Sequence, residues 1–346
     1  NPTGLPYIKI LNYNNLFFST GTFPSLPSVN IETYKLDQLK SVSKIETYLT
    51  NNKETIIGIG KTQSNKDAFF KCVFDLDIQN NHYMYLYNLI PATSSSEYFT
   101  DITTTDNYIY TSSIDNNYLV IRKFDKYGNN TGDVLTKKYS LNTYGDFFGN
   151  KFYIEGIDND RIVVGINPQH INGVGSLTTT SEVLSFFNSD LSHIGDYYFS
   201  PTVDNTKPEI RDMKYSTYDY NLYVLRDNLS ISNSKPIVID QIFLSSLDPD
   251  NYNFLDVNER LCSNSASTLN ILLNNNYINT IGIEYFGVNT WYIHYSRINS
   301  NNILCDGTNC DEPIYDINLI KHNIITSYTN SNISYVCVSD YPTIHL

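Results

Sequence analysis

The sequence predicts an all-β chain assembled from repeated strand-and-turn units, and three observations carry that prediction. No window of about 12 residues shows a convincing 3.6-residue apolar period, which leaves no segment that reads as an amphipathic helix. Short runs rich in Ile, Val, Tyr, Thr and Phe alternate throughout with turns of Asn, Asp, Lys and Gly. One unit then recurs: a strand, a short polar turn, a second strand, another turn, and a third strand running into Asp, Asn or Ser.

The clearest copy is Phe99 to Asn129, FTDITTTDNYIYTSSIDNNYLVIRKFDKYGN. Before it lie Tyr7 to Asp37 and Ile45 to Asp77; after it come Phe152 to Asp190, Ile210 to Asp248, Thr268 to Asn299 and Tyr315 to Asp340. Seven units average about 49 residues each, the length of a four-stranded blade with its loops, and six is the alternative count because the fourth strands are the least defined. One twisted meander cannot bury both of its faces, whereas radial stacking between two neighbours buries them and leaves short edges. Residues 1–346 are therefore expected to form one closed domain, with Leu5 to Leu11 completing the last unit beside Ile333 to Ser339.

On this repeat the chain resembles the β-propeller superfamily over nearly its whole length, at the level of architecture. The Trp-Asp dipeptide, the Ser-x-Asp-x-Gly-x-Thr-Trp box, the Gly-Gly pairs and the Tyr-Trp-Thr-Asp motif of particular propeller families are all absent. The resemblance implies a seven-bladed scaffold and no inherited chemistry.

Aligning the units on their first strand brings Lys9, Glu46, Asp101, Glu155, Asp212, Asn270 and Asp316 into register. First strands of a propeller line its central channel, so these side chains form a candidate ring for a cationic or polyhydroxylated ligand or for Ca²⁺ held through oxygen ligands. The bland reading is a wet channel whose aspartates cap turns. Asp101, Asp212 and Asp316 are the acids a glycoside-cleaving enzyme would use, although one Trp in the whole chain, Trp291, weakens a sugar-cleaving reading.

Composition excludes other classes. A formal charge of −13, from 23 basic and 36 acidic residues, argues against a nucleic-acid partner. No apolar run is long enough for a membrane-spanning helix. The six histidines, His82, His170, His193, His294, His322 and His345, form no paired metal motif. Among five cysteines, Cys305 and Cys310 flank a turn that suits a small disulfide, with Cys262 as a competing partner, while Cys72 and Cys337 read as buried thiols. Asn129, Asn228 and Asn332 head glycosylation sequons beside turns. Numbering from Asn1 suggests a removed leader or an excised piece of a larger surface protein, and the end around Pro342 reads equally as a linker or a frayed terminus. Asn172–Ser176, Pro201–Pro208 and Ser245–Asn264 read as long loops.

These readings favour a non-enzymatic, extracellular or cell-surface adhesion module that needs no cofactor and contacts a protein or glycan through propeller-face loops, where Tyr and Asn supply rigid area and adaptable hydrogen bonds. The alternatives are a structural component of a larger assembly, such as a virus particle or surface appendage, and a carbohydrate-active enzyme.

Overall fold

A computed structural model describes residues 7–11, 31–50, 53–76, 82–127, 134–141, 152–167, 182–199, 208–228, 237–244, 257–262, 267–274, 277–285, 291–299 and 322–324. β1 (Tyr7–Leu11) and β2 (Ile31–Lys35) form a two-stranded sheet. Five four-stranded sheets follow, each with its strands in sequence order. They are β3 (Leu39–Thr50), β4 (Lys53–Thr62), β5 (Asp67–Leu76) and β6 (His82–Pro91); β7 (Glu97–Thr104), β8 (Tyr108–Asp115), β9 (Tyr118–Asp125) and β10 (Leu135–Ser140); β11 (Phe152–Ile157), β12 (Arg161–Ile166), β13 (Val183–Phe187) and β14 (His193–Tyr198); β15 (Pro208–Ser216), β16 (Asn221–Asn228), β17 (Ile237–Phe243) and β18 (Val257–Cys262); and β19 (Ser267–Asn274), β20 (Tyr277–Tyr285), β21 (Trp291–Asn299) and β22 (His322–Ile324). The chain is thus nearly all β and made of antiparallel meanders, as the repeat predicts.

Two compact units divide the contacts, residues 1–162 with 188–192 and residues 163–187 with 193–346. In the first, β4 has six consecutive buried residues and β8 seven, because both faces of these strands are covered. Successive side chains of β4 and β5 point to opposite faces and feed separate cores. Ile57, Ile59 and Phe69 pack with Phe99, Ile102, Ile109 and Phe124 of the next sheet, while Ile56, Phe70, Cys72 and Phe74 join Leu36 and Leu39. Phe69 and Phe124 stack with centroids 4.6 Å apart. Each such side chain contributes about 1.5–3 kcal/mol by leaving water. β10, the outermost strand, alternates between exposed and half-buried positions.

Between sheets the first unit buries charge. Arg122 of β9 and Glu97 of β7 are 2% and 3% exposed, and the guanidinium reaches both carboxylate oxygens, at 2.7 and 2.6 Å from Nη2. Ser113 and the Thr93 backbone N–H donate to the same carboxylate at 2.8 and 2.9 Å. The double bulge of β3 is possible because Gly60 faces it: a Cβ there would lie 2.2 Å from the Ser41 carbonyl oxygen, which the backbone cannot yield cheaply.

Cys72 is a buried free thiol, as the sequence suggests, and burial pushes its pKa up to about 12. Its thiolate fraction is negligible near neutrality. Native protein treated with iodoacetamide at pH 8 is expected to leave Cys72 unmodified, with labelling appearing only on unfolding; peptide mapping by mass spectrometry checks this.

In the second unit, all five residues of β13 are buried, and so are Leu222 to Leu225 of β16. Asn167 acts as a surrogate strand residue, donating from Nδ2 to the Ile210 carbonyl (2.9 Å) and accepting the Ile210 N–H (2.7 Å). Arg226 is buried against Asp240, with Nη2 3.0 Å from Oδ1, and its guanidinium lies 4.4 Å from the Phe199 ring centroid.

The structure departs from the sequence reading in several places. The five four-stranded sheets do have the fourth strand that the unit length implies, but the repeat does not locate it, because edge strands are short, partly polar and separated by longer loops. His322–Ile324, placed in a seventh unit by the sequence, is instead the fourth strand of the β19–β22 sheet. Cys262, read as a loop residue, ends β18, which itself lies inside the stretch 245–264 read as irregular. Cys305, Cys310, Cys337, Asn129, Asn332, Asp316 and the glycine-rich loop 172–176 lie outside the described residues, and Asn228 is the last residue of β16, opposite Pro208. Among the described residues no helix is long and apolar enough to cross a membrane.

Candidate functional site

Of the ring positions, Lys9 lies on β1, Glu46 on β3, Asp101 on β7, Glu155 on β11, Asp212 on β15 and Asn270 on β19. What unites several of these strands is a β-bulge, with register shifts between Phe99 and Asp101, Ile210 and Asp212, Thr268 and Asn270, and Val42 and Lys44. Counted from the bulge, the β3 counterpart of Asp101 is Lys44 rather than Glu46. A bulge inserts a residue that apolar periodicity does not reveal.

The carboxylates at the bulge act as latches between first strands. Asp101, 1% exposed, accepts its own neighbour's N–H at Ile102 (2.8 Å) and the N–H of Ile154 on β11 (3.0 Å), and it pairs with the Lys44 ammonium. Asp212, 3% exposed, accepts the N–H of Ile271 on β19 at 2.9 Å. Because Ile271 follows Asn270, the matching residue before Ile154 is Tyr153, and Glu155 stands two positions farther on. Glu155 is buried beside Thr103, whose hydroxyl lies 3.5 Å away, and Gly156 donates its N–H to that hydroxyl at 3.0 Å. Among the described residues, no three of His, Cys, Asp and Glu gather to hold a metal ion.

A second arrangement, not singled out by the sequence reading, lies at the turns of the first unit. Asn159, Arg161, Asn188, Ser189, Asp190 and Ser192 line an open cleft of about 380 Å³. One wall is the turn Asp158–Asp160, where Asn159 and Asp160 both have left-handed backbone, with φ of 58° and 57°. Asn and Asp tolerate that region better than other side chains. Asp160 is clamped there: Thr105 donates to it at 2.7 Å, the Asn107 side chain at 2.7 Å and the Asn107 backbone N–H at 3.0 Å. Tyr110 secures the Asp160 carbonyl at 2.8 Å, and Arg161 Nε donates to the Asp158 carbonyl at 3.0 Å.

The opposite wall is the turn 188–192. Lys123 donates to the Ser189 carbonyl at 2.7 Å and Tyr139 to the Leu191 carbonyl. Asp190 Oδ1 accepts from the Ser192 hydroxyl (2.6 Å) and N–H (2.8 Å), and these bonds hold its carboxyl below the usual range. For Asp160, burial pushes the carboxyl up, but the donors from Asn107 and Thr105 outweigh it and the net direction is also down. Both acids are therefore ionised acceptors rather than proton donors near neutrality. The signal for this site in the sequence is Asp158-Asn159-Asp160 and Asn188-Ser189-Asp190, which any turn would carry.

No protein-family model matches the chain, and no curated sequence does. Among solved structures the chain is similar to the polysaccharide lyase Uly1 (TM-score 0.46, 8% identity, 77% of this chain), to Kuenenia stuttgartiensis hydrazine synthase (0.42, 10%, 70%) and to the GH43 endo-arabinanase of Bacillus licheniformis (0.37, 12%, 75%). It spans 62% of the length of each of the first two and 94% of the third.

Proposed function

We propose that the chain is a propeller-type recognition domain, extracellular or on a cell surface, that binds a polyhydroxylated ligand, a glycan, in the cleft between the turns 158–161 and 188–192. The observation that carries this reading is the lining itself. Two amides, two hydroxyls, one guanidinium and one ionised carboxylate offer donors and acceptors to sugar hydroxyls, and the volume lies at the small end of ligand pockets, about 300–1,000 Å³. The walls are pinned by Lys123, Tyr139, Tyr110 and the Asp160 clamp, so little ordering remains for binding to offset. Among the described residues the five four-stranded meanders are each the size of one blade, which supports the propeller-type reading.

The second reading is a carbohydrate-active enzyme using Asp101, Asp212 and Asp316. Asp101 and Asp212 each hold a backbone N–H of a neighbouring strand, which favours a structural role for them over nucleophile or acid. The readings separate in one experiment: an oligosaccharide panel titrated by calorimetry against wild type, Arg161→Ala and Asp190→Ala, with reducing-end release followed in parallel. Glycan recognition in the cleft predicts saturable binding that each substitution weakens by about 10- to 100-fold, as expected for hydrogen bonds to charged groups, without turnover. Turnover that survives both substitutions would move the site to the ring acids.

A further inference from the structure

Among the described residues six non-glycine positions have positive φ: Asn65, Asn116, Asn159, Asp160, Leu191 and Tyr220. Five have local explanations. Three are asparagines, which enter the left-handed region readily; Asp160 is held by its clamp; and Leu191 is fully buried, so its side chain fills the core. Tyr220, at φ 58°, is different, because a bulky side chain is strained there and this one is 58% exposed. It sits in the β15–β16 turn, two residues after Tyr218, which is 59% exposed. Between them Asp219 is fixed, accepting the Tyr223 hydroxyl at 2.6 Å and the Asn221 N–H at 3.3 Å. The turn is closed by Tyr220 N–H donating to the Ser216 carbonyl at 2.9 Å. The Tyr220 carbonyl also accepts the Leu244 N–H at 3.4 Å, so the left-handed residue closes the turn with its backbone while its ring stands in solvent.

We infer that this turn is a contact site for a cationic side chain, lysine or arginine, of a protein partner. Two exposed tyrosine rings bear negative quadrupoles, the residue between them in sequence is the carboxylate Asp219, and the chain as a whole carries −13. The molecule already uses the same chemistry internally. Tyr108 and Tyr110, also two residues apart, receive the Lys123 ammonium at 3.5 and 5.9 Å from their ring centroids, and Lys126 lies 4.9 Å from the ring of Tyr48. Tyr218 and Tyr220 have the same two-residue spacing, and both rings are exposed to the outside. A neutral sugar could stack on tyrosine rings as well, but the fixed carboxylate and the overall charge favour a cation.

The test is calorimetric titration of an acetylated, amidated Gly-Arg-Gly-Arg-Gly peptide at about 0.15 M salt, where long-range charge is screened. Wild type is compared with Tyr218→Ala/Tyr220→Gly, which leaves the net charge unchanged. Binding is expected to weaken about tenfold in the double variant and to persist in Tyr218→Phe, which keeps the ring. Tyr220→Gly relieves the left-handed strain, so an unlowered denaturation midpoint shows that lost binding is not lost fold. Equal affinity in wild type and the double variant would overturn the proposal, as would a neutral maltohexaose that binds the tyrosines and displaces the peptide. Neither result bears on the cleft, whose residues are unchanged.

Discussion

Glu97→Ala is expected to destabilise the protein by about 3–5 kcal/mol, read as a shift of the urea midpoint, because it leaves the Arg122 guanidinium buried without its counter-charge. Burial alone pushes the Glu97 carboxyl up, but hydrogen bonds from Arg122 and Ser113, the Arg122 charge and the Thr93 N–H reverse this, and the net pKa lies below its ordinary 4.5. A group with a depressed folded pKa contributes fully above its unfolded pKa and loses that contribution as pH falls through the folded value. The difference between wild type and Glu97→Ala is thus expected to be constant from pH 7 to about 5 and to shrink at lower pH. A pH-independent difference would show that packing, not charge, dominates. Replacing both partners, Glu97→Leu with Arg122→Met, is expected to recover part of the loss, since an apolar pair leaves no unpaired buried charge.

The second large effect is expected at Asp101. Removing its carboxylate in Asp101→Ala deprives the Ile154 and Ile102 N–H groups of their acceptor and Lys44 of its ion partner, at a cost of about 3–5 kcal/mol. Asp101→Asn keeps the shape and one acceptor oxygen, and about half that loss is expected. Hydrogen exchange at Ile154 separates the latch from a general loss of stability. Its N–H is expected to exchange faster in Asp101→Asn than amides of the Ile57–Phe69 core, whose bonds the substitution does not touch. Uniform acceleration across both would mean that the carboxylate serves the sheet as a whole.

Much of this architecture is readable in the residues. Runs such as Tyr108–Asp115 and Tyr118–Asp125 declare strands because both of their faces are buried, and at Asp101 and Asp212 the aligned acids do meet the backbone of the next first strand. The fourth strands are harder to see. β10 alternates like any exposed strand, and β18 follows β17 after 13 residues, 244–256, whose sequence reads as loop, the strand boundaries being Phe243 and Val257. Bulges displaced the ring by two residues at Glu46, because apolar periodicity carries no mark of an inserted residue. The cleft was hidden for another reason. Its residues are Asn, Ser and Asp on turns, and only the clamps on Asp160 and Asp190 distinguish them from turns that do nothing else.

The latch has a consequence for how such a chain can change over generations. Asp101 and Asp212 grip a backbone N–H, not a side chain, so the receiving strand is constrained at a single point: it must not carry proline at the position of Ile154 or Ile271. Beyond that, burial of Ile154 and Ile271 asks only for an apolar side chain of fitting size, and which one it is can drift while the joint persists. A repeat copied within the gene, or exchanged for a diverged one, would dock on arrival, and repeats could lose all mutual resemblance without the seam between them failing.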